Sequence, residues 1–135
     1  MNVAAPDQGA VALASGPAAA ANIAGKETKM RYNIIPACVY TNPEIASVGM
    51  TEVQVKEAGL PYNTGMFPAI ANGRSLIMGD SSGFVKLLTH RDSGEILGAH
   101  IMAKRATDMI GEIALAMRAE ATLEELGDTI HAHPT

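Results

Sequence analysis

Aromatic side chains and a basic charge excess are both missing from this chain. Its 135 residues include three Tyr, two Phe and no Trp, and its formal net charge at pH 7 is -4. Recognition of nucleic acid normally needs a basic patch, and binding of single strands also needs aromatic platforms on which bases stack. The composition therefore gives no reason to expect a nucleic-acid partner.

Cysteine is nearly absent as well. Cys38 is the only one, so an intramolecular disulfide or a redox-active cysteine pair within this chain is excluded. It lies in the apolar run 34–40, where a small buried hydrophobic residue is the expected role. A single reduced cysteine is typical of a reducing compartment, and we expect the cytoplasm, or the mitochondrial matrix if the source is eukaryotic.

Membrane-spanning segments, signal peptides and nucleotide-binding motifs are also lacking. The apolar stretch 10–14 is too short to span a membrane, and no basic segment precedes it as in a signal peptide. The chain has no Gly-x-Gly-x-x-Gly or Gly-Lys-Ser/Thr loop and no nucleophile elbow. We therefore expect neither membrane insertion nor nucleotide binding through those loops.

The residues that are present indicate one globular domain of the α+β class. Apolar residues make up 47% and charged residues 18%, and eight methionines suggest an adaptable apolar core or a buried interface. Strands are predicted at 34–40, 45–49, 62–69, 84–90 and 95–102. The last two flank a turn at 91–94 that is typical of an antiparallel hairpin, and Gly98 suggests a bulge or the close approach of another backbone. The connection 70–83 is predicted to carry at most a helical turn. A mainly antiparallel sheet with flanking helices is expected.

Two helices carry capping-box signals. Thr51 and Gln54 have the capping-box spacing at the start of a helix predicted at 52–58, and Thr122 and Glu125 have it at the start of a short helix that Gly127 limits. For the first helix, a hydrophobic staple between Met50 and Val55 and a stop at Gly59 are also expected, and Pro61 follows.

The principal helix is predicted at 107–119 and is apolar nearly all round. Such a helix must be covered on more than one side. The second cover is either a partner subunit or the Ala-rich helix predicted near the N-terminus, and the sequence favours neither. That N-terminal helix is expected to have Pro17 near its start and Gly25 at its end.

The chain ends in a pair of histidines. Imidazole exchanges protons near neutral pH, and the proline after the second one, Pro134, restricts how His133 is presented. His131 and His133 could instead bind a metal with Asp128 or Glu125, but without a clearly spaced third ligand we predict no metal site. His90 and His100, on adjacent predicted strands, are expected to be structural.

Four segments, in order, resemble the C-terminal dimerisation domain of flavin-dependent disulfide oxidoreductases. They read Pro-Ala-Cys-Val-Tyr-Thr-Asn-Pro-Glu-Ile-Ala-Ser-Val-Gly at 36–49, Gly-Phe-Val-Lys at 83–86 with Glu-Ile-Leu-Gly-Ala-His at 95–100, Arg-Ala-Thr-Asp-Met-Ile at 105–110, and Thr-Ile-His-Ala-His-Pro-Thr at 129–135. The last one is similar to the dihydrolipoamide dehydrogenase branch of that family. The resemblance implies a dimerisation domain at 33–135, truncated after His-Pro-Thr, and a remnant of a linking helix and linker at 1–32.

The resemblance also implies a role for the histidine pair. His133 would be the catalytic base that each subunit lends to the partner's flavin and disulfide site, and the backbone of His133 and Pro134 would face the partner's flavin. The parent enzyme would oxidise dihydrolipoamide with FAD and NAD as cofactors. The implied partners are a second copy, the parent's flavin-binding domain and, less directly, the acyltransferase core of a 2-oxo acid dehydrogenase complex.

In that family a glutamate shortly after the His-Pro-Thr motif orients the histidine, and the present sequence stops at Thr135. No FAD domain, NAD domain or cysteine pair is present either. The chain alone is therefore predicted to lack dehydrogenase activity. The alternative function is a non-catalytic module for self-association or for docking on a 2-oxo acid dehydrogenase complex.

Overall fold

The computed structural model describes residues 8–135. It contains a five-stranded antiparallel sheet with flanking helices. The strands, in spatial order β1-β2-β5-β4-β3, are β1 Ala37–Val39, β2 Glu44–Gly49, β3 Tyr62–Pro68, β4 Phe84–His90 and β5 Ile96–Ala103. The helices are α1 Gln8–Ile23, α2 Glu52–Glu57, α3 Gly73–Ile77, α4 Ala106–Arg118 and α5 Leu123–Asp128, with single 3₁₀ turns at Tyr32–Ile34 and Ala69–Ala71. The predicted α+β class is confirmed.

The predicted hairpin of β4 and β5 forms the middle of the sheet. Gly94 adopts a left-handed conformation in the turn, where its N–H donates to the carbonyl of His90. The register shifts by one residue at Leu88 and Thr89. Strand β5 pairs with β4 on one side and with β2 on the other, so it is the central strand.

Two apolar clusters cover opposite faces of the sheet. The larger one joins α4, through Ile110 and Ile113, to buried residues of β2 and β5, and the smaller one joins Val55 of α2 to Leu88 and Leu97. Leu87 packs against the first cluster and Leu88 belongs to the second, and successive side chains of a strand point to opposite faces. Helices α4 and α2 therefore lie on different sides of the sheet.

Helix α2 begins as the sequence predicts and is fixed to the sheet by charge. Its capping box of Thr51 and Gln54 is complete, and Met50 packs against the cluster that contains Val55. Glu52 accepts from Lys56 at 2.8 Å, from Lys86 of β4 at 2.6 Å and from the hydroxyl of Tyr62 at 2.9 Å. These donors hold the pKa of Glu52 at about 2. The carboxylate therefore stays ionised down to strongly acidic pH.

Gly98 marks a close approach of two backbones, as predicted. A Cβ atom at this position would collide with the carbonyl oxygen and the nitrogen of Met50. The N–H of Met50 donates to the neighbouring Leu97 carbonyl at 2.8 Å. Because Gly98 has no side chain, the backbone of Met50, just after β2, can lie directly against β5.

Two predicted elements differ from the structure. The strand predicted at 34–40 is only three residues long, because a 3₁₀ turn occupies Tyr32–Ile34 and Pro36 has no N–H to donate. Pro17 was expected near a helix start and lies inside α1. Ala10, Leu13 and Ala14 favour a helix before Pro17, although Gly9 and Gly16 oppose it. Pro17 is exposed, and the helix extends back to Gln8. The end of α1 agrees with the prediction, with Gly25 in a left-handed conformation.

The outer side of α4 is uncovered by residues 8–135, the part of the chain that the structure describes. Met109 is 42% exposed and Leu115 is 67% exposed, so α1 does not cover them. The sequence left open whether a partner subunit or the N-terminal helix covers this side of α4. The N-terminal helix does not cover it. Among the described residues, no helix is long and apolar enough to cross a membrane.

Candidate active-site segment

The histidine pair lies on an extended tail after α5, which we call the His-Pro-Thr segment, residues 129–135. Helix α5 starts at the second predicted capping box, in which Thr122 and Glu125 bond to each other's backbone N–H groups. The N–H of Leu123 donates to the carbonyl of Gly94 at 3.0 Å. The β4–β5 turn therefore fixes the start of α5, and with it the origin of the segment.

Three side-chain hydrogen bonds tether this exposed segment to the domain. The hydroxyl of Thr129 donates to the carbonyl of Glu125 at 2.8 Å. Nε2 of His131 pairs with Glu112 of α4. At the far end, Nδ2 of Asn72 donates to the carbonyl oxygen of Thr135 at 3.0 Å. The tethers stand before and after His133, so its backbone is positioned from both directions.

His133 itself is exposed, and within residues 8–135 its side chain makes no hydrogen bond or ion pair. Its peptide bond to Pro134 is cis. Both nitrogens of the imidazole are therefore available to a group outside this chain. An exposed imidazole on a tethered segment can accept a proton from a bound molecule.

His131 has a different environment from that of His133. The hydrogen bond and charge of Glu112 raise the pKa of His131 above its ordinary value. Glu125, suggested as a metal ligand, uses its carboxylate in the capping box. In the part of the chain that the structure describes, no three His, Cys, Asp or Glu side chains are placed to hold a metal ion.

The pair of His131 and Glu112 predicts a pH dependence of the segment. Because the folded pKa is raised, the stabilising contribution of the pair is complete below about pH 6.5 and is lost as the pH rises through the folded pKa. Glu112→Gln is expected to lower the pKa of His131 towards its ordinary value, measured by NMR titration of the imidazole C–H signals. Glu124→Gln in α5 is the matched control and should leave it unchanged. An unchanged His131 pKa in Glu112→Gln would contradict the pairing.

The other sequence candidates lie away from this segment. Nε2 of His100 donates to the carbonyl of Met50 at 3.2 Å, and burial lowers the pKa of His100. Nδ1 of His90 accepts from two N–H groups of its own turn. Cys38 is half-buried in β1 and packs against the larger apolar cluster. All three therefore contribute to packing or turn structure.

Sequence reasoning missed the residues that hold the segment. Glu112 is an ordinary exposed helix residue in the sequence, and no motif connects it to His131. Asn72 has the residue type of a helix N-cap, and it does cap α3. That signal could have placed the start of α3, although it could not have shown the bond to Thr135.

The structure is an antiparallel domain with an exposed histidine on a tethered segment, and the sequence contains neither a cysteine pair nor a glycine-rich nucleotide loop. Comparison with known families identifies the class of domain. Residues 35–135 match the model of the dimerisation domain of pyridine nucleotide-disulphide oxidoreductases. The chain belongs to this family.

Individual relatives show the same similarity. The chain is 48% identical over 120 residues to a dihydrolipoyl dehydrogenase of Cupriavidus necator, and 44% identical over 120 residues to a mitochondrial dihydrolipoyl dehydrogenase of Pisum sativum. Each alignment covers 89% of this chain, and 25% and 24% of the relatives. LpdA of Mycobacterium tuberculosis has a similar structure, with a TM-score of 0.87 and 30% identity over 93% of this chain and 28% of that one. The chain thus spans about a quarter of the length of these relatives.

Proposed function

We propose that this chain is the dimerisation domain of a dihydrolipoyl dehydrogenase and that it supplies His133 as a base to the partner subunit's active site. The observation that carries the proposal is the geometry of the His-Pro-Thr segment. It is tethered on both sides of His133, while the imidazole stays exposed and free of bonds within the described chain. A base that acts in another subunit needs this combination of fixed backbone and open side chain.

The chemistry assigned to His133 is proton transfer. The neutral imidazole accepts the proton of a dihydrolipoamide thiol, and the resulting thiolate is the form that attacks the disulfide of the partner subunit. The disulfide is reduced as the dihydrolipoamide is oxidised, and His133 keeps the proton until a later step returns it. FAD and NAD, when bound by the other domains, supply the electron acceptors of the reaction.

The residues of the segment suit a position at the edge of a flavin site. His133 and Pro134 are both exposed, so their backbone is open to contact by another domain. The sequence contains no glycine-rich phosphate loop. The cofactors are accordingly assigned to the rest of the parent enzyme, and only contact of His133 and Pro134 with the flavin is assigned to this chain.

Self-association is the second part of the proposal. Met109 and Leu115 form exposed apolar surface on α4, and Met66 and Phe67 form more on the edge strand β3. Burial of such surface is the main driving force of permanent dimers.

Residues 33–135 are proposed as the dimerisation domain and 1–32 as the end of a linking helix and linker. The cytoplasm or the mitochondrial matrix is the proposed compartment. The alternative use of the apolar surface is docking on an acyltransferase core without catalysis.

A graft into a relative tests this function. Residues 33–135 would replace the matching segment of the Cupriavidus necator dihydrolipoyl dehydrogenase, with the host's own residues kept after the match. The grafted enzyme is expected to sediment as a dimer and to oxidise dihydrolipoamide with NAD at a rate within about tenfold of the host, because only contacts between domains change.

Two controls accompany the graft. The host without its last domain should be inactive because it lacks the base. The 135-residue chain by itself should be inactive because it has a single cysteine and therefore no redox-active disulfide. A grafted protein that is dimeric and flavin-loaded but no more active than the truncated host would contradict the catalytic role. Such a result would favour the docking alternative.

A further inference from the structure

Asn72 connects the start of α3 to the end of the chain. Its Oδ1 accepts from the N–H of Ser75 at 2.9 Å and so caps α3. Its Nδ2 donates to the carbonyl oxygen of Thr135 at 3.0 Å. The two bonded residues are 63 positions apart in sequence, so this contact exists only in the folded domain.

The orientation of this amide is fixed by its two partners. The backbone N–H of Ser75 can only donate, and the main-chain oxygen of Thr135 can only accept. Turning the amide over would set its NH₂ group against an N–H and its oxygen against a carbonyl. The helix cap therefore aims Nδ2 at the segment and removes the freedom that an exposed amide would otherwise have.

The platform that carries Asn72 is itself attached to the sheet. The N–H of Ala69, in the turn before Asn72, donates to the carbonyl of Gly83 at 3.0 Å, and Ala69 is buried. The ammonium of Lys104 donates to the carbonyl of Met78 just after α3. Asn72 is therefore held at a fixed place beside the sheet, and its hydrogen bond holds Thr135 at a fixed distance from that place.

We propose that Asn72 is a positioning residue for His133, an inference that rests on the proposed function. His131 is tethered two residues before His133 and Thr135 two residues after it. Without the Asn72 bond, the segment is held only on its N-terminal side. The imidazole then samples a wider range of positions, and a smaller share of them matches the geometry that proton transfer needs.

Substitutions that keep the helix cap isolate this role. Serine and aspartate are both good N-caps, so Asn72→Ser and Asn72→Asp preserve the bond to Ser75. Serine is too short to reach Thr135, and aspartate presents an acceptor to a carbonyl oxygen. In the grafted enzyme, each variant is expected to lower kcat with dihydrolipoamide about tenfold and to leave the KM for NAD and the melting temperature unchanged.

A double substitution distinguishes positioning from a general structural effect. If Asn72 acts through His133, Asn72→Ser should cause no further loss in the His133→Gln background. An equal loss in both backgrounds, or no loss beside an active unsubstituted graft, would overturn the proposal. An inactive unsubstituted graft would overturn the proposed function instead, and the Asn72 bond would then be judged by the following measurement.

Backbone dynamics test the tether without any catalysis. In the 135-residue chain, Asn72→Ser is expected to lower the NMR order parameters of the backbone amides at 130–133 and 135 towards values below about 0.6, and to leave those of α3 unchanged. Asn63→Ser on the exposed edge of β3 is the matched control and should change nothing in that segment. Equal order parameters in the Asn72→Ser and unsubstituted chains would overturn the positioning role, whatever the activity of the graft.

Discussion

Replacing His133 with glutamine in the grafted enzyme is expected to lower turnover of dihydrolipoamide by about 10²- to 10⁴-fold, the usual contribution of a positioned general base. Glutamine has a similar reach but cannot accept a proton. The side chain of His133 makes no bond within residues 8–135, so folding should not suffer. The measurement is kcat with dihydrolipoamide and NAD, with the flavin content and the sedimentation coefficient recorded on the same samples.

His131→Gln is the control for this experiment. Its imidazole pairs with Glu112, so its loss should loosen the segment and lower kcat much less than the loss of the base. The pH profile separates the two variants further, because only His133→Gln should remove the part of the pH dependence that comes from the base. Equal rates for His133→Gln and the unsubstituted graft would exclude His133 as the base.

Gly98→Ala is expected to destabilise the chain by about 1–3 kcal/mol or more, the usual range for overpacking. The added methyl group meets the backbone of Met50, which cannot move aside as a flexible side chain can. Met50 is in turn bonded to Leu97, so relief of the collision disturbs the pairing at the end of β2. Urea unfolding followed by circular dichroism gives the free energy of unfolding.

Gly111→Ala is the matched control in the same chain. Gly111 lies within α4, and an added Cβ there meets no atom within 4 Å. Alanine in a helix is more favourable than glycine, so this variant should gain about 0.4–1 kcal/mol. The same chemical change is thus expected to have opposite signs at two positions. A stability loss at Gly111 as large as at Gly98 would show that neighbouring atoms do not decide the effect.

The elements that the sequence predicts well are those with local causes. The capping boxes at Thr51 and Thr122, the hairpin turn at Gly94 and the close approach at Gly98 each depend on a few neighbouring residues with specific backbone needs. Strands β3 and β4 also agree closely with their predicted ranges. The order β1-β2-β5-β4-β3 was not predicted, because pairing between distant strands depends on the whole chain.

Errors occurred where tertiary structure or neighbouring sequence overrode a local rule. Pro17 was expected near the start of a helix, but the helix extends nine residues before it, to Gln8. The apolar run at 34–40 was expected to be all strand, and Pro36 and the turn before it shortened the strand. In both segments the apolar pattern indicates that a helix or strand is present. It does not indicate the residue at which that helix or strand begins.

The candidate site was predictable only in part. The resemblance directed attention to His133 and Pro134, whose roles stay predictions, while the contacts that hold them were not foreseen. The partners of the segment, Glu112 and Asn72, are 19 and 63 residues away from the groups they bind. Contacts at such separations follow from the fold and leave no mark in the local sequence.

The position of β5 in the sheet has a consequence for how the domain is made on the ribosome. Of the five strands of this sheet, the central strand is the last to be synthesised, and it pairs with β2, whose residues emerge about fifty positions earlier. Until residue 103 has left the exit tunnel, β2 and β4 each carry an open edge that can pair with another nascent chain. Arrival of β5 closes both edges in one step, so a polypeptide that ends before it can form only two separate strand pairs, β1 with β2 and β3 with β4.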